Sequence, residues 1–268
     1  MKNDARRLAT VAVCVYTAAF LVTVLLHEVA HALAALAVGI HPTLFNSHVD
    51  TPSAGPWREI LVALAGPVFS LVQGLVGLVL AVRGRGTGTK ALFGLFLGVS
   101  GIINFLGYVM TGPVVDYGDV GQTEKLLGVP IAAAVVAAVA AAVVAVLVVR
   151  RTAPLFMRFV PTAGSGAMPA EVKAQKRRYL WPLLGWPWLL GSILITVLGW
   201  PLSNFLSVIY PPMSSMVLGV AFGAAVRRPA LLGTPTTPAV LRTWLWGPVL
   251  ALGIMAIVFR LLSAGVQL

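Results

Sequence analysis

The chain has 268 residues, of which 59% are hydrophobic and only 10% carry a charged side chain. A soluble domain has charged residues at about a quarter of its positions, so this composition excludes an ordinary soluble enzyme or binding module. The formal net charge of +11 does not indicate a nucleic-acid partner, because the basic residues lie in short segments between long apolar runs. Apolar runs of about 20 residues cross a bilayer as helices, so we predict an all-α bundle of six to seven transmembrane spans.

The first apolar run contains three ionisable residues within five positions. We expect a helix from about residue 9 to residue 39, retained as a span because the run is too long for a cleaved signal peptide. Its second half contains the sequence HEVAH, in which His27 and His31 flank Glu28. Residues four apart lie on one face of a helix, and this separation lets two imidazoles bind one zinc ion. Glu28 can then act as general base on a water held by that ion.

The apolar surroundings make this motif more informative than it would be in a soluble chain. An ionised side chain at the centre of a bilayer costs about 3 kcal/mol on insertion scales, so the cluster needs a compensating partner. A bound metal would supply one. The alternatives are a chance HExxH sequence and a histidine pair that is satisfied by backbone carbonyls. The other two histidines, His41 and His48, lie in the polar loop that follows, where solvated side chains are the usual outcome.

The second and third spans contain features that suit close helix packing. The second covers about residues 58–82 and contains the tripeptide Ala-Gly-Pro at 65–67, which predicts a close helix contact or a kink. The third covers about residues 91–110 and contains Asn104. An intramembrane asparagine either bonds neighbouring helices or binds an extended substrate or a reaction oxyanion. The sequence favours these two roles equally.

Acidic residues follow the third span, in the segment 110–130. A catalytic zinc site has three protein ligands and an open fourth position, so two histidines require one carboxylate from another part of the chain. Asp119 lies where the chain would re-enter a helix, and we prefer it as the third ligand. Asp116 is the alternative, and for either residue a helix N-cap is the competing explanation.

The remaining chain contains no further set of metal-binding side chains. A span over about residues 129–149 is followed by a hydrophilic segment over 151–180, which we assign as a basic cytoplasmic linker against anionic lipid. Residues 181–268 are predicted to form transmembrane helices without an assigned role. These helices are expected near 181–200, 202–226 and 243–265.

Lysine and arginine are enriched in the cytoplasmic loops of membrane proteins. With seven spans and a cytoplasmic N-terminus, 16 of the 19 basic residues lie on the cytoplasmic side. The exceptions are Arg58, Lys125 and Arg260. We therefore expect a multi-pass protein of a bacterial cell membrane with its N-terminus in the cytoplasm. This orientation places both HEVAH and Asp119 towards the outer side.

Three features together resemble the site-2 protease family of intramembrane zinc metalloproteases. They are HEVAH in the first span, Ala-Gly-Pro in the second, and Asn104 followed by an aspartate after the third. The resemblance covers roughly residues 10–150, so we assign residues 1–150 to a metalloprotease-like transmembrane core. It implies an endopeptidase that cleaves transmembrane protein substrates within or near their spans. The roles it implies are Zn²⁺ binding by His27, His31 and Asp119 or Asp116, catalysis by Glu28, and substrate binding by Asn104.

The alternative function is a non-proteolytic membrane protein that binds or transports a metal. Transporters commonly contain repeated halves and polar residues in several spans, and this sequence contains neither clearly. Metal flux across a liposome membrane that does not depend on Glu28 would favour the alternative.

Overall fold

The protein is an all-α bundle in which long apolar helices are joined by short loops. The computed structural model describes residues 2–164, 166–200, 206–229, 236–242 and 244–268. Within these residues, six helices are long and apolar enough to cross a membrane. They cover Asn3–Ala37, Pro56–Arg83, Thr89–Thr111, Ile131–Met157, Pro169–Leu198 and Val208–Arg227. The chain is therefore a multi-pass membrane protein, as its composition predicts.

Ten α-helices follow one another in the described part of the chain. They are α1 (Lys2–Ala37), α2 (Pro56–Arg83), α3 (Thr89–Thr111), α4 (Asp119–Leu126), α5 (Ile131–Met157), α6 (Pro169–Leu180), α7 (Ser192–Leu198), α8 (Leu206–Ser215), α9 (Val217–Arg227) and α10 (Trp246–Leu262). Two π-helical turns join α6 to α7, because Pro182 and Pro187 lack the N–H group that a regular helix uses.

The last predicted spans differ in part from the observed helices. The span predicted near 243–265 corresponds to α10, whose 17 residues are fewer than the roughly 20 that cross a bilayer. The span predicted over 202–226 corresponds to α8 and α9. Its first residues, 202–205, lie outside the described residues, as does residue 243.

The helix α1 lies at the centre of the bundle. In its most apolar stretch, 72% of the residues are buried inside the protein, compared with 17% in the corresponding stretch of α5. It contacts α2, α3, α10 and the π-helical turns. Apolar side chains of α5 such as Val136 and Val139 are exposed, as expected for a surface against lipid. The helix with the ionisable residues is thus the helix that protein encloses most completely.

The helices α2 and α3 approach each other closely at small residues. A Cβ atom on Gly77 would lie 2.7 Å from the Cα of Gly98, and one on Gly74 would overlap the backbone nitrogen of Ile102. A side chain at either position would force the helices apart. Small residues allow this van der Waals packing within a bilayer, where apolar side chains gain nothing by leaving lipid. The contact fixes the position of α2, which also packs against α1.

The segment 151–180, which we predict as a linker, is largely helical. The helix α5 continues to Met157, and α6 begins at Pro169. The side chain of Glu171 accepts a hydrogen bond from the backbone N–H of Met168, which stabilises the start of α6. The helices extend beyond their apolar spans, so the non-helical connection is shorter than the hydrophilic segment.

Two cations of this segment bind protein carbonyls. Arg158 donates hydrogen bonds to the carbonyl oxygens of Ala81 and Gly84 at the end of α2. Lys176 is only 7% exposed and donates to the carbonyl oxygen of Val226 at 2.9 Å. A positive charge is stabilising at a helix C-terminus, where the free carbonyls carry partial negative charge. These two side chains therefore hold helix ends together.

A small antiparallel sheet lies next to the end of α1. Its strands β1 (Thr43–Leu44), β2 (Val49–Asp50) and β3 (Val266–Gln267) have the order β2-β1-β3. The Nδ1 atom of His41 lies 3.3 Å from the carbonyl oxygen of Leu268, and the ring of His48 stacks on Phe45. Both loop histidines therefore have partners near the sheet.

Candidate metal centre

Three side chains from distant parts of the sequence converge on one point. His27 and His31 come from α1, and Asp119 comes from the first turn of α4. The Oδ2 atom of Asp119 lies 2.9 Å from Nε2 of His27 and 3.2 Å from Nε2 of His31. The two Nε2 atoms are 3.0 Å apart. Among the residues that the structure describes, this is the only group of His, Cys, Asp or Glu side chains with the geometry to hold a metal ion.

A short connection places Asp119 at this point. The helix α3 ends at Thr111 and α4 begins at Asp119, so the carboxylate lies where a helix N-terminus stabilises negative charge. A Cβ atom on Gly121 would overlap the carbonyl oxygen of Val115. The glycine therefore allows the connection to fold tightly back against α4 and to bring Asp119 to the histidines.

Asp116, the alternative third ligand, lies outside the cluster. Its carboxylate is 70% exposed and forms an ion pair with Lys125 at 3.0 Å. When the histidines are protonated, their hydrogen bonds and charges lower the pKa of the Asp119 carboxyl, against the opposing effect of burial. The carboxyl group is then ionised, which is the form that binds a metal.

One face of α2 holds the two imidazole rings. Val62, Gly66 and Ser70 recur at intervals of four residues, so they lie on the same side of the helix. The Nδ1–H group of His31 donates to the carbonyl oxygen of Val62 at 2.6 Å, and Nδ1 of His27 lies 3.1 Å from Oγ of Ser70. Each ring is thus fixed through the nitrogen that faces away from the cluster. Such contacts set the orientation of histidine ligands in metal sites.

The contact with Val62 selects a tautomer of His31 that can bind a metal ion. A carbonyl oxygen only accepts hydrogen bonds, so a neutral His31 that donates through Nδ1 has a lone pair at Nε2. This lone pair faces Nε2 of His27 and Oδ2 of Asp119, which are also acceptors in their metal-binding forms. In these forms the three acceptor atoms, which lie within 3.2 Å of one another, repel unless a cation lies among them. A tetrahedral zinc ion about 2.0–2.1 Å from each ligand would separate the ligands by about 3.3 Å, close to the observed distances.

The cluster is open on one side. The side chains of His27 and His31 are 1% and 7% exposed, whereas that of Asp119 is 23% exposed. Access to the cluster is therefore from the side of Asp119. A structural zinc site is closed by four protein ligands, whereas a catalytic site has three and leaves one position for water or substrate. Three converging protein side chains would leave such a position at an ion held here.

Glu28 is buried beside the cluster. The residue is 5% exposed, and its carboxyl group interacts electrostatically with His31 and Asp119. It follows His27 directly in α1, so its side chain leaves the helix in a different direction from the two ligand rings. A group that transfers protons at a metal site needs this placement, near the ligands and separate from them.

Sequence reasoning missed the carbonyl of Val62, Ser70 and Tyr108. The ring of Tyr108 stacks on that of His27, with centroids 4.9 Å apart and planes within 10°. The interval of four residues from Val62 through Gly66 to Ser70 is visible in the sequence, and it could have indicated the face of α2 that meets α1. No signal in the sequence marks Tyr108, because its contact depends on how α3 packs against α1.

Asn104 lies on α3, one helical turn before Tyr108. It is 4% exposed and lines an internal cavity together with Thr23 and Tyr210. It does not belong to the group of converging ligands. Its role in substrate binding stays a prediction.

Gly66 of α2 faces the ligand atoms of the two histidines. A Cβ atom there would overlap Nε2 of His31 and lie 2.7 Å from Nε2 of His27. We expect Gly66→Ala to lower the zinc affinity by roughly 10- to 100-fold, the range for loss of contacts that orient ligands, because the rings would turn away from each other. Competition with a chromophoric chelator on the purified protein measures this affinity.

Gly94→Ala is the matched control for this variant. A Cβ atom on Gly94, which also lies inside a spanning helix, meets no atom within 4 Å. Alanine is more favourable than glycine in a helix by up to about 1 kcal/mol, so we expect an unchanged zinc affinity and an equal or higher Tm. Equal zinc affinities for the two variants would contradict the close contact of Gly66 with the ligands.

Comparison of the chain with known protein families, with curated proteins and with solved structures finds no match. What the centre can do is therefore inferred from its own side chains. Two imidazole nitrogens, one carboxylate oxygen, an open side and a neighbouring carboxyl group suit the binding of a divalent cation and the activation of a water molecule.

Proposed function

We propose that the protein is a membrane-embedded zinc endopeptidase that cleaves transmembrane protein substrates within or near their spans. The observation that carries this proposal is the convergence of His27, His31 and Asp119 inside a bundle of apolar helices, with Glu28 beside them. The resemblance of HEVAH and its context to the site-2 protease family supports the same function.

The donor set favours zinc over calcium and magnesium. His27, His31 and Asp119 would hold the ion through two nitrogens and one oxygen, whereas calcium and magnesium prefer oxygen ligands alone. When bound, a zinc ion lowers the pKa of a coordinated water to about 7 and polarises a carbonyl group. Water and substrate would reach the ion from the open side of the cluster, beside Asp119.

Glu28 is the group that moves the proton. Its carboxylate takes a proton from the attacking water, whose oxygen forms a bond to the carbonyl carbon of the scissile peptide. The same proton then passes to the amide nitrogen as the carbon–nitrogen bond breaks. The products are one carboxylic acid and one amine, and Glu28 returns to its ionised form.

The position of the centre along α1 indicates where substrates are cut. His31 lies six residues before the end of α1 at Ala37, about 9 Å along the helix axis. A substrate helix must unwind before its peptide bond is accessible, because its own hydrogen bonds shield the carbonyl groups. Unwinding costs least near the polar boundary, where water can satisfy the freed backbone groups. We therefore expect cleavage near one end of a transmembrane span.

Metal removal tests the proposed function. The purified protein is reconstituted in liposomes with a set of tagged single-span reporter proteins that contain a Gly-Pro pair near one end of the span. We expect cleavage that stops with the chelator 1,10-phenanthroline and returns when zinc is added, because the ligand set holds the ion by coordination alone. Mass spectrometry of the products locates the cleaved bond.

The same liposomes distinguish the non-proteolytic alternative. Zinc binding without cleavage of any reporter, together with zinc flux into the liposomes, would contradict the peptidase proposal. Cleavage that persists in fully zinc-free protein would contradict the role of the metal centre.

A further inference from the structure

A cavity lies about one helical turn from the metal centre. The helices α1, α3, α8 and α9 bound it. The space within which the centre of a water molecule fits is about 10 Å³. Thr23 and Asn104 line it. Thr23 lies four residues before the ligand His27, and Asn104 lies four residues before Tyr108, whose ring stacks on His27. Four residues span about 6 Å along a helix axis, so the cavity adjoins the centre from inside the bundle.

Asn104, which lines this cavity, has an unpartnered side-chain acceptor. Its side chain is 4% exposed, and its Oδ1 atom has no hydrogen-bond partner in the part of the protein that the structure describes. A buried carbonyl oxygen without a donor is unfavourable, and in native proteins such an atom is commonly paired with ordered water. An apolar residue of the same size would fill this place without that penalty.

The rest of the lining supplies further partners for a small polar molecule. The hydroxyl group of Ser214 donates to the carbonyl oxygen of Tyr210 at 2.8 Å, so its lone pairs can accept from another donor. Ser100 and Tyr210 also line the cavity and each carries a hydroxyl group. A buried water molecule typically makes two to four hydrogen bonds, and the lining offers groups of both kinds.

We propose that this cavity is a water-binding site in which a water molecule donates a hydrogen bond to Oδ1 of Asn104. The volume decides the class of ligand, because it accommodates about one water molecule and excludes a peptide segment. The second part of the proposal rests on the proposed peptidase function. It is that the site holds water beside a hydrolytic centre that apolar helices enclose. Asn104 is then a positioning residue for water.

X-ray footprinting tests the water site without an activity assay. Brief irradiation converts bound water into hydroxyl radicals, which oxidise the side chains beside it, and mass spectrometry measures the rates. Phe20 lines the cavity, whereas Phe156 is fully buried in the core away from it. In the protein in lipid nanodiscs, we expect Phe20 to be oxidised about ten-fold faster than Phe156, because only Phe20 adjoins a buried water. Equal rates would overturn the proposal.

Asn104→Leu provides the second measurement. The substitution keeps the approximate size of the side chain and removes the acceptor that holds the water, so we expect the rate at Phe20 to fall towards that at Phe156. An unchanged rate at Phe20 in the folded variant would contradict the role of Asn104. If the variant does not fold, the comparison of the two phenylalanines in the unaltered protein still decides the existence of the site.

The hydrolytic role is decided separately. If the proposed function holds, Asn104→Leu lowers kcat for reporter cleavage and leaves the zinc affinity unchanged. An unchanged kcat would overturn the link to hydrolysis. The footprinting result needs neither zinc nor substrate, so failure of the peptidase proposal would not alter it.

Discussion

Replacement of Glu28 by glutamine is expected to lower the rate of reporter cleavage about 10²- to 10⁴-fold, the usual contribution of a general acid–base group. The amide has nearly the same size as the carboxyl group but cannot take a proton from water. Glu28 lies beside the ligands and is not one of the three converging side chains. We therefore expect the Glu28→Gln protein to bind one zinc per chain, as measured by inductively coupled plasma mass spectrometry, with an unchanged affinity.

Glu171→Gln is the matched control for this experiment. Glu171 is exposed at the start of α6, where it accepts a hydrogen bond from the backbone of Met168. The same change of carboxyl to amide there should leave both cleavage and zinc affinity as they are. Full activity of Glu28→Gln would remove Glu28 as the base, and loss of zinc from this variant would show that Glu28 is a ligand.

Replacement of Asp119 by asparagine is expected to lower the zinc affinity by roughly 100-fold or more, beyond the range for residues that only orient ligands. The neutral amide removes the only negative charge among the three converging side chains, and it binds a divalent cation more weakly than a carboxylate does. Competition with a chromophoric chelator measures the change. Retained zinc affinity in Asp119→Asn would exclude this carboxylate as a ligand.

Asp116→Asn serves as the matched control, because it makes the same change three residues earlier. Its carboxylate is exposed and pairs with Lys125, a type of contact that contributes about 0–1 kcal/mol to stability. We expect zinc affinity, cleavage and Tm to stay close to those of the unaltered protein. A loss of zinc from Asp116→Asn but not from Asp119→Asn would reverse the assignment of the third ligand.

The sequence alone was sufficient to predict the helical bundle and the pairing of His27 with His31, and it favoured Asp119 over Asp116 as the third residue. Apolar runs of sufficient length have one main solution in a bilayer, because only a helix satisfies every backbone group within one segment. The placement of His27 and His31 on one face follows from the helical repeat, which is a local property. Both predictions depend only on residues that are near one another in the chain.

The choice between Asp119 and Asp116 depended on the tertiary structure. The two residues are three positions apart in a polar connection, and composition does not distinguish them. The tight turn that Gly121 permits against Val115 brings Asp119 to the histidines and leaves Asp116 exposed beside Lys125.

The surroundings of the histidines also depended on packing between helices. Val62 and Ser70 meet the two rings only because α2 runs antiparallel to α1 in one particular register. Glycine contacts between α2 and α3 help to hold that register, and such contacts join residues that are far apart in the chain. The sequence by itself thus determined the helices and the residue types of the candidate centre. The tertiary structure decided which carboxylate, carbonyl and hydroxyl groups complete it, because those choices depend on contacts between separate helices.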